Sequence, residues 1–401
     1  MEIENKDYQN NDEENVNEKK GMYISKSELL LGLANHLQFS ISGKDIPQGI
    51  KRRYNDFLQL REKLIENWPG VYIPHIPSKK KVGELNRKTV LLRIRALNVF
   101  LSNISKIPYL SQSEEIKSFQ TLTDDFGKAI EKMPKSSFVE ILEKYKNAFP
   151  TYNVNYDFNQ GKEKINLFNS FLKKIKNNLS TFKKAVDITV DKRKEDILQY
   201  FEITHNIISY EKTNVMKYID DYYDKLIFNN EKNSKLKEKL EKINEYLNNP
   251  FENVYNWLYD EEKDIQAMIE AINGINILEM NYNKLKQKDE SIENDIKKLE
   301  SGQQGFIKNI FKKKEESLSE LNQEKNKNAN SIKNLNEIIK IVTYEMENKI
   351  SEFKIEKTNN YVKMIKEFAN NKIQSNKKLN ELFIEMKDLL EQAKQNHIKK
   401  N

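Results

Sequence analysis

Proline divides this chain unevenly. Of its eight prolines, Pro47, Pro69, Pro74, Pro77, Pro108, Pro134 and Pro150 lie in the first 150 residues, and only Pro250 follows. Glycine behaves alike, with Gly161, Gly274, Gly302 and Gly305 the only ones past residue 150. Proline lacks a backbone donor and costs about 3 kcal/mol inside a helix. A stretch of about 250 residues almost free of it and rich in Lys, Glu, Asn, Leu and Ile is therefore expected to be helical, while the first part must carry loops and strands.

Apolar spacing supports the division. Phe168, Leu172, Ile175, Leu179, Phe182 and Val186 recur at steps of three and four, as do Leu335, Ile338, Val342, Met346, Ile350 and Phe353. Such steps keep one stripe on one helix face. Three long helices are predicted, over residues 162–226, 234–299 (bent near Pro250) and 314–393, with breaks at 229–233 and 301–305. Each is on the order of 100–120 Å long at 1.5 Å per residue. With 37% hydrophobic and 32% charged residues, the composition suits long helices with one buried stripe better than one large globular core. Three antiparallel helices can bury those stripes, and the leftover apolar surface invites a second copy.

The first part reads as a small α+β domain. Leu37–Ser42 alternates as a strand does, and residues 50–54 form another candidate strand after the turn signal Pro47-Gln48-Gly49. Asn55-Asp56 caps a helix over 57–67, a proline-rich loop follows over 73–81, and 90–106 is a second amphipathic helix. Residues 1–20 are polar and mixed in charge and read as a disordered tail. The longest apolar run, Leu29 to Ala34, falls far short of the roughly 20 residues of a membrane span.

Chemistry is constrained by what is scarce. Cysteine is absent and histidine occurs four times, at His36, His75, His205 and His397. Thiol catalysis and cysteine-ligated zinc are excluded. The scattered histidines offer no metal cluster or catalytic triad, and no phosphate-cradling glycine-rich loop is present. An enzyme is not expected, nor a cofactor. The net charge of +7 is too mild to suggest a nucleic-acid partner. Basic side chains do gather at three places: Lys51-Arg52-Arg53 beside Tyr54, Lys79-Lys80-Lys81 after Pro77, and Arg93. Arginine's planar fork matches phosphate, and an adjacent ring offers a face to a sugar or inositol. Solvated surface charge is the plain alternative.

In order, these segments resemble the PX (phox homology) phosphoinositide-binding domain: Arg52-Arg53-Tyr54-Asn55-Asp56-Phe57, the loop Trp68-Pro69-Gly70 to Lys80, the helix from Arg93 to Leu101, and a close at Ser111 to Phe119. The resemblance covers about residues 21–123. It implies that Arg53 holds the 3-phosphate of phosphatidylinositol 3-phosphate, Tyr54 packs on the inositol ring, Lys79 meets the 1-phosphate, and Arg93 bonds the ring hydroxyls. His75 stands where the family commonly has proline. The segments Ile338 to Met346, Phe353-Lys354-Ile355-Glu356-Lys357, Tyr361 to Phe368 and Lys378-Leu379-Asn380 are similar to the last helix of sorting-nexin BAR domains.

The order therefore resembles the PX-BAR sorting nexins: a tail over 1–20, a PX domain over 21–123, an amphipathic linker or yoke over 124–160, and a BAR-like, all-α long three-helix antiparallel coiled coil over 161–395. The resemblance implies a peripheral protein on the cytoplasmic face of endosomal membranes. It would work in protein transport as a homo- or heterodimer that senses or induces curvature, with a retromer-like coat as a further partner. A PX-coiled-coil scaffold or tether without membrane bending stays open as the alternative. Two segments fit membrane contact on their own pattern. Phe306, Ile307, Ile310 and Phe311 share a helical face beside Lys312, Lys313 and Lys314, as an interfacial helix does; a plain hairpin turn is the alternative. Phe126, Ile130, Met133, Phe138, Ile141, Leu142, Tyr145 and Phe149 fit a membrane-inserting helix or a yoke joining the two parts.

Overall fold

The structure is a computed structural model and describes residues 2–4, 21–30, 36–79, 87–152, 156–215, 228–229, 233–243, 247–301 and 310–398. Four antiparallel strands lie in sequence order: β1 (Glu2–Glu4), β2 (Tyr23–Leu30), β3 (His36–Ser42) and β4 (Lys51–Arg53). The alternation in β3 has its expected result, since Leu37, Phe39 and Ile41 are buried. Glu2–Glu4 departs from the expected tail: it pairs with Lys26–Glu28 as an edge strand. The backbone of β2 has an open side there, and pairing satisfies its donors and acceptors.

Helix α1 (Tyr54–Asn67) starts three residues before its predicted start. Asp56 explains this, because its Oδ2 accepts the Arg53 N–H at 2.8 Å and ends the strand at Arg53. Phe57, Leu60 and Leu64 are fully buried on one face of α1. Phe57 meets Phe39 edge-on at 6.0 Å and Phe119 at 5.0 Å. Helices α2 (Arg87–Lys106), α3 (Pro108–Ser111) and α4 (Glu114–Thr121) complete this layer, with Ile94, Leu97, Leu101 and Ile104 buried along α2.

Two short helices follow, α5 (Phe126–Lys132) and α6 (Phe138–Ala148), capped by Asp125 and Ser137. Phe126, Ile130, Ile141, Tyr145 and Phe149 are buried within the protein. Tyr145 stacks on Trp68 at 5.6 Å and donates its hydroxyl to the Pro69 carbonyl at 2.6 Å. Lys63 on α1 donates to the Met133 carbonyl. Met133, Phe138 and Leu142 of the same pattern stay half-buried.

Among the described residues that follow, four helices are long enough to matter: α7 (Phe158–Tyr210), α8 (Ser234–Glu241), α9 (Phe251–Glu300) and α10 (Ile310–Ile398). Two predicted helices are interrupted. The first ends its α-geometry at Tyr210 in a single π turn, Glu211–Val215. The second is two helices rather than one bent helix. Pro250 cannot donate to a preceding turn, and α9 starts directly after it, with Asn249 Oδ1 accepting the Phe251 N–H.

The chain forms two compact units, Met1–Lys176 with Lys263–Phe353, and Asn177–Glu262 with Lys354–Asn401. In the first, Lys162–Glu279 and Lys176–Gln266 pair α7 with α9 in antiparallel sense, and Lys288–Glu324 with Asn328–Leu285 pair α9 with α10 likewise. The sheet-bearing part docks on these helices: Tyr72 donates to Asp264 at 2.8 Å, and Arg61 pairs with Glu270 at 2.7 Å. Gly70, at φ +86°, lies so close to Gly274 that a side chain on Gly274 would come within 2.7 Å of the Gly70 nitrogen. The second unit buries Val186, Val190, Val254, Leu258 and Met364 in one cluster and Ile208, Leu236, Leu240 and Leu382 in another. Glu211 there accepts the backbone N–H groups of Phe228 and Asn229.

Candidate headgroup site

The two neighbouring arginines of β4 have opposite fates. Successive strand residues face opposite ways, so one goes inward. Arg52 is only 1% exposed. Its Nε and Nη2 donate to the Phe119 carbonyl at 3.2 and 2.7 Å, and Nη2 also reaches the Leu122 carbonyl at 2.7 Å. The guanidinium lies over the Phe119 and Phe126 rings at 5.2 and 5.0 Å. It caps the C-terminal end of α4, where carbonyls lack helical partners and positive charge is favoured. Burial pulls its pKa below the ordinary arginine value, against the opposing charge of Asp56.

Arg53 instead keeps a half-exposed side chain, with Nε 3.3 Å from Asp56 Oδ1. Tyr54 turns inward. Its hydroxyl donates to the Pro77 carbonyl at 2.5 Å, and the Arg93 guanidinium lies 4.8 Å from its ring centroid. Burial raises the Tyr54 pKa, against the opposing charges of Arg93 and Arg61, so the phenol stays a donor. Arg93 is itself nearly buried. Arg61, two helix turns further on and missed in the sequence, donates to the Pro74 carbonyl at 2.8 Å. The proline-rich loop is thereby pinned to α1 at both prolines. Exposed Lys79 emerges two residues after Pro77. The fold thus brings Tyr54, Arg93 and the root of Lys79 together. Arg53 stands beside them in the chain, with its fork turned to Asp56.

His75 has a different environment from the one expected of a loop residue. It is buried, with Nε2 3.6 Å from Asp264 Oδ1 on α9. The residue that departs from the family pattern therefore sits at a docking contact, a role that no local signal discloses. Of the proposed membrane-contact residues, Phe306 and Ile307 lie outside the described residues. Ile310, Phe311, Lys312, Lys313 and Lys314 begin α10, and their side chains lie outside the described set. Among the described residues no helix is long and apolar enough to cross a membrane.

Comparison with known proteins places these features. Residues 43–123 match the PX domain family model. Sorting nexin 1 of Arabidopsis thaliana is 37% identical over 70 residues, 17% of this chain and 17% of that protein. Human sorting nexin-8 is 25% identical over 167 residues, 39% of this chain and 33% of that protein. The chain thus spans a third or less of these two relatives. Sorting nexin-4 of Saccharomyces cerevisiae is 27% identical over 307 residues, 75% of this chain and 69% of that protein. The cryo-EM structure of the SNX-BAR Mvp1 tetramer is similar in fold with a TM-score of 0.51 and 17% identity, covering 90% of this chain and 99% of that one. Residues 43–123 thus match a PX domain, and the chain is similar in sequence to sorting nexins and in fold to an SNX-BAR protein.

Proposed function

We propose that this chain binds phosphatidylinositol 3-phosphate on endosomal membranes and shapes or senses membrane curvature as an oligomer through its helical part. The observation that carries the lipid half is the Arg93–Tyr54–Pro77 assembly beside Arg53. In the chain this assembly adjoins Arg53, whose side chain is half-exposed, and the exposed Lys79 two residues after Pro77. Arg53 would take the 3-phosphate, Tyr54 the ring face, Lys79 the 1-phosphate and Arg93 the ring hydroxyls. The helical half is supported by apolar side chains left exposed along α7 and α10, among them Leu167, Phe171, Ile188, Ile355 and Ile373, which a second copy would cover. An oligomer offers several headgroup sites at once, and linkage raises their effective affinity. Basic residues near an anionic surface add about 1 kcal/mol each.

The test uses the full chain and a panel of vesicles, each carrying one phosphoinositide in phosphatidylcholine. Sedimentation should be strongest with the 3-phosphate lipid, and analytical ultracentrifugation should show at least a dimer. Electron microscopy of the same vesicles should show tubes. Equal sedimentation across the panel would overturn the lipid assignment. A monomer that binds without deforming vesicles would leave a lipid-binding tether and remove the curvature role.

A further inference from the structure

Arg53 is not presented bare. Its Nε lies 3.3 Å from Asp56 Oδ1, and Asp56 is itself largely buried. The opening turn of α5 comes up on the same side chain. A Cβ built on Gly127 would be 3.6 Å from Arg53 Nη2 and 3.3 Å from Asp125 Oδ1, so those two atoms are within about 7 Å of each other. The same Cβ would meet Gln59 Oε1 at 2.9 Å, so the Gln59 amide too lies against the head of α5. Gln59 in turn donates to Glu131 of α5 at 3.0 Å. The first turn of the yoke is thus in contact with α1, which begins directly after Arg53, and brings a carboxylate near the Arg53 Nη2.

We infer that the start of the yoke is a wall of the headgroup site, in which Asp125 and Asp56 compete with the incoming phosphate for Arg53, so that Asp125 sets the affinity for the 3-phosphate. The inference rests on the proposed headgroup reading. The physics is Coulombic. A phosphate arriving at the guanidinium meets the attraction of Arg53 and the repulsion of two carboxylates. Asp56 cannot be spared, because its other oxygen caps α1 through the Arg53 N–H. Asp125 can: it accepts the Lys128 N–H at the head of α5, a task asparagine performs equally well. Removing its charge also leaves Lys128, now 3.2 Å from Asp125 Oδ2, without its counter-charge at the site. Both changes favour an anion. At a separation of at most about 7 Å in a partly solvated setting, the effect should be roughly two- to fivefold in affinity at low salt and smaller at high salt.

The experiment measures sedimentation of the full chain, its Asp125→Asn variant and its Arg53→Gln variant. One vesicle set carries phosphatidylinositol 3-phosphate in phosphatidylcholine, and a second carries phosphatidylserine in place of the phosphoinositide. Asp125→Asn should bind the first set roughly two- to fivefold more tightly, the gain should shrink as salt rises, and binding to the second set should be nearly unchanged. An unchanged affinity for the first set overturns the inference, as does an equal gain on both sets, which would mark a bulk charge effect. Arg53→Gln separates the two levels of the argument. If it binds phosphoinositide as well as the unsubstituted chain, the headgroup reading falls and the inference with it. If it loses binding while Asp125→Asn is flat, only the inference falls.

Discussion

Replacing Arg52 with alanine should unfold the sheet-bearing part far more readily than replacing its neighbour Arg53. The Arg52 side chain is 1% exposed and its guanidinium serves the carbonyls of Phe119 and Leu122 while lying over two aromatic rings. Alanine leaves the buried Phe119 carbonyl without its donor, at about 1–3 kcal/mol, takes the donor from the part-buried Leu122 carbonyl, and removes the charge that caps α4. It also opens a void beneath Phe119 and Phe126. A loss of about 3–5 kcal/mol follows, comparable to breaking a buried charged contact from one side. Arg53→Ala gives up one half-exposed ion pair and should cost no more than about 1 kcal/mol. Urea unfolding followed by the fluorescence of Trp68 and Trp257 reads the difference, with Trp68 reporting the stack on Tyr145. Equal midpoints for Arg52→Ala and the unsubstituted chain would refute the reasoning, because no buried group can lose its partners without cost.

Two further outcomes follow from contacts in the first unit. Gly274→Ala should destabilise by about 1–3 kcal/mol despite alanine's better helix propensity, because its Cβ would press on the Gly70 backbone at 2.7 Å; a higher melting temperature would contradict the close approach. Glu66 has its pKa held below the ordinary carboxylate range by the hydrogen bond from Lys63, against the opposing effect of burial, with Lys135 adding its charge. A folded-state pKa lower than the unfolded one contributes stability above the unfolded value of about 4.3, and that contribution disappears as pH falls through the lower folded value. Glu66→Gln should therefore differ most from the parent near neutrality, with the gap closing in acid; a gap that stays constant in urea midpoints from pH 7 to pH 3 would contradict it.

Much of the architecture was legible from where proline and glycine stop. Helices α7 and α10 follow from steps of three and four, α9 from the scarcity of proline and glycine, and β3 from strict alternation, since both periods reflect backbone geometry and need no tertiary information. The breaks were less legible. Pro250 marks the start of α9, but α8 already ends at Glu241, nine residues earlier, where no proline or glycine signals it. Strands β1 and β2 went unread because their sequences alternate weakly, and β1 owes its existence to a pairing partner more than 20 residues away. In the site, the ordered segments located Arg53, Tyr54, Lys79 and Arg93 along the chain. They did not distinguish the buried Arg52 from the exposed Arg53, a distinction made by the position of α4. The docking roles of His75, Arg61 and Gly274 were likewise silent, because each depends on an element distant in sequence.

The central claim is that the cluster around Tyr54 is a cup for a 3-phosphorylated inositol headgroup. Calorimetric titration of the full chain with inositol 1,3-bisphosphate, the headgroup without its lipid, tests it free of membrane charge and of oligomer avidity. The unsubstituted chain should bind with one site per protomer, and Arg53→Gln should lose at least tenfold in affinity, about 1.4 kcal/mol, with its unfolding midpoint nearly unchanged. An equal affinity in the two proteins would contradict the account.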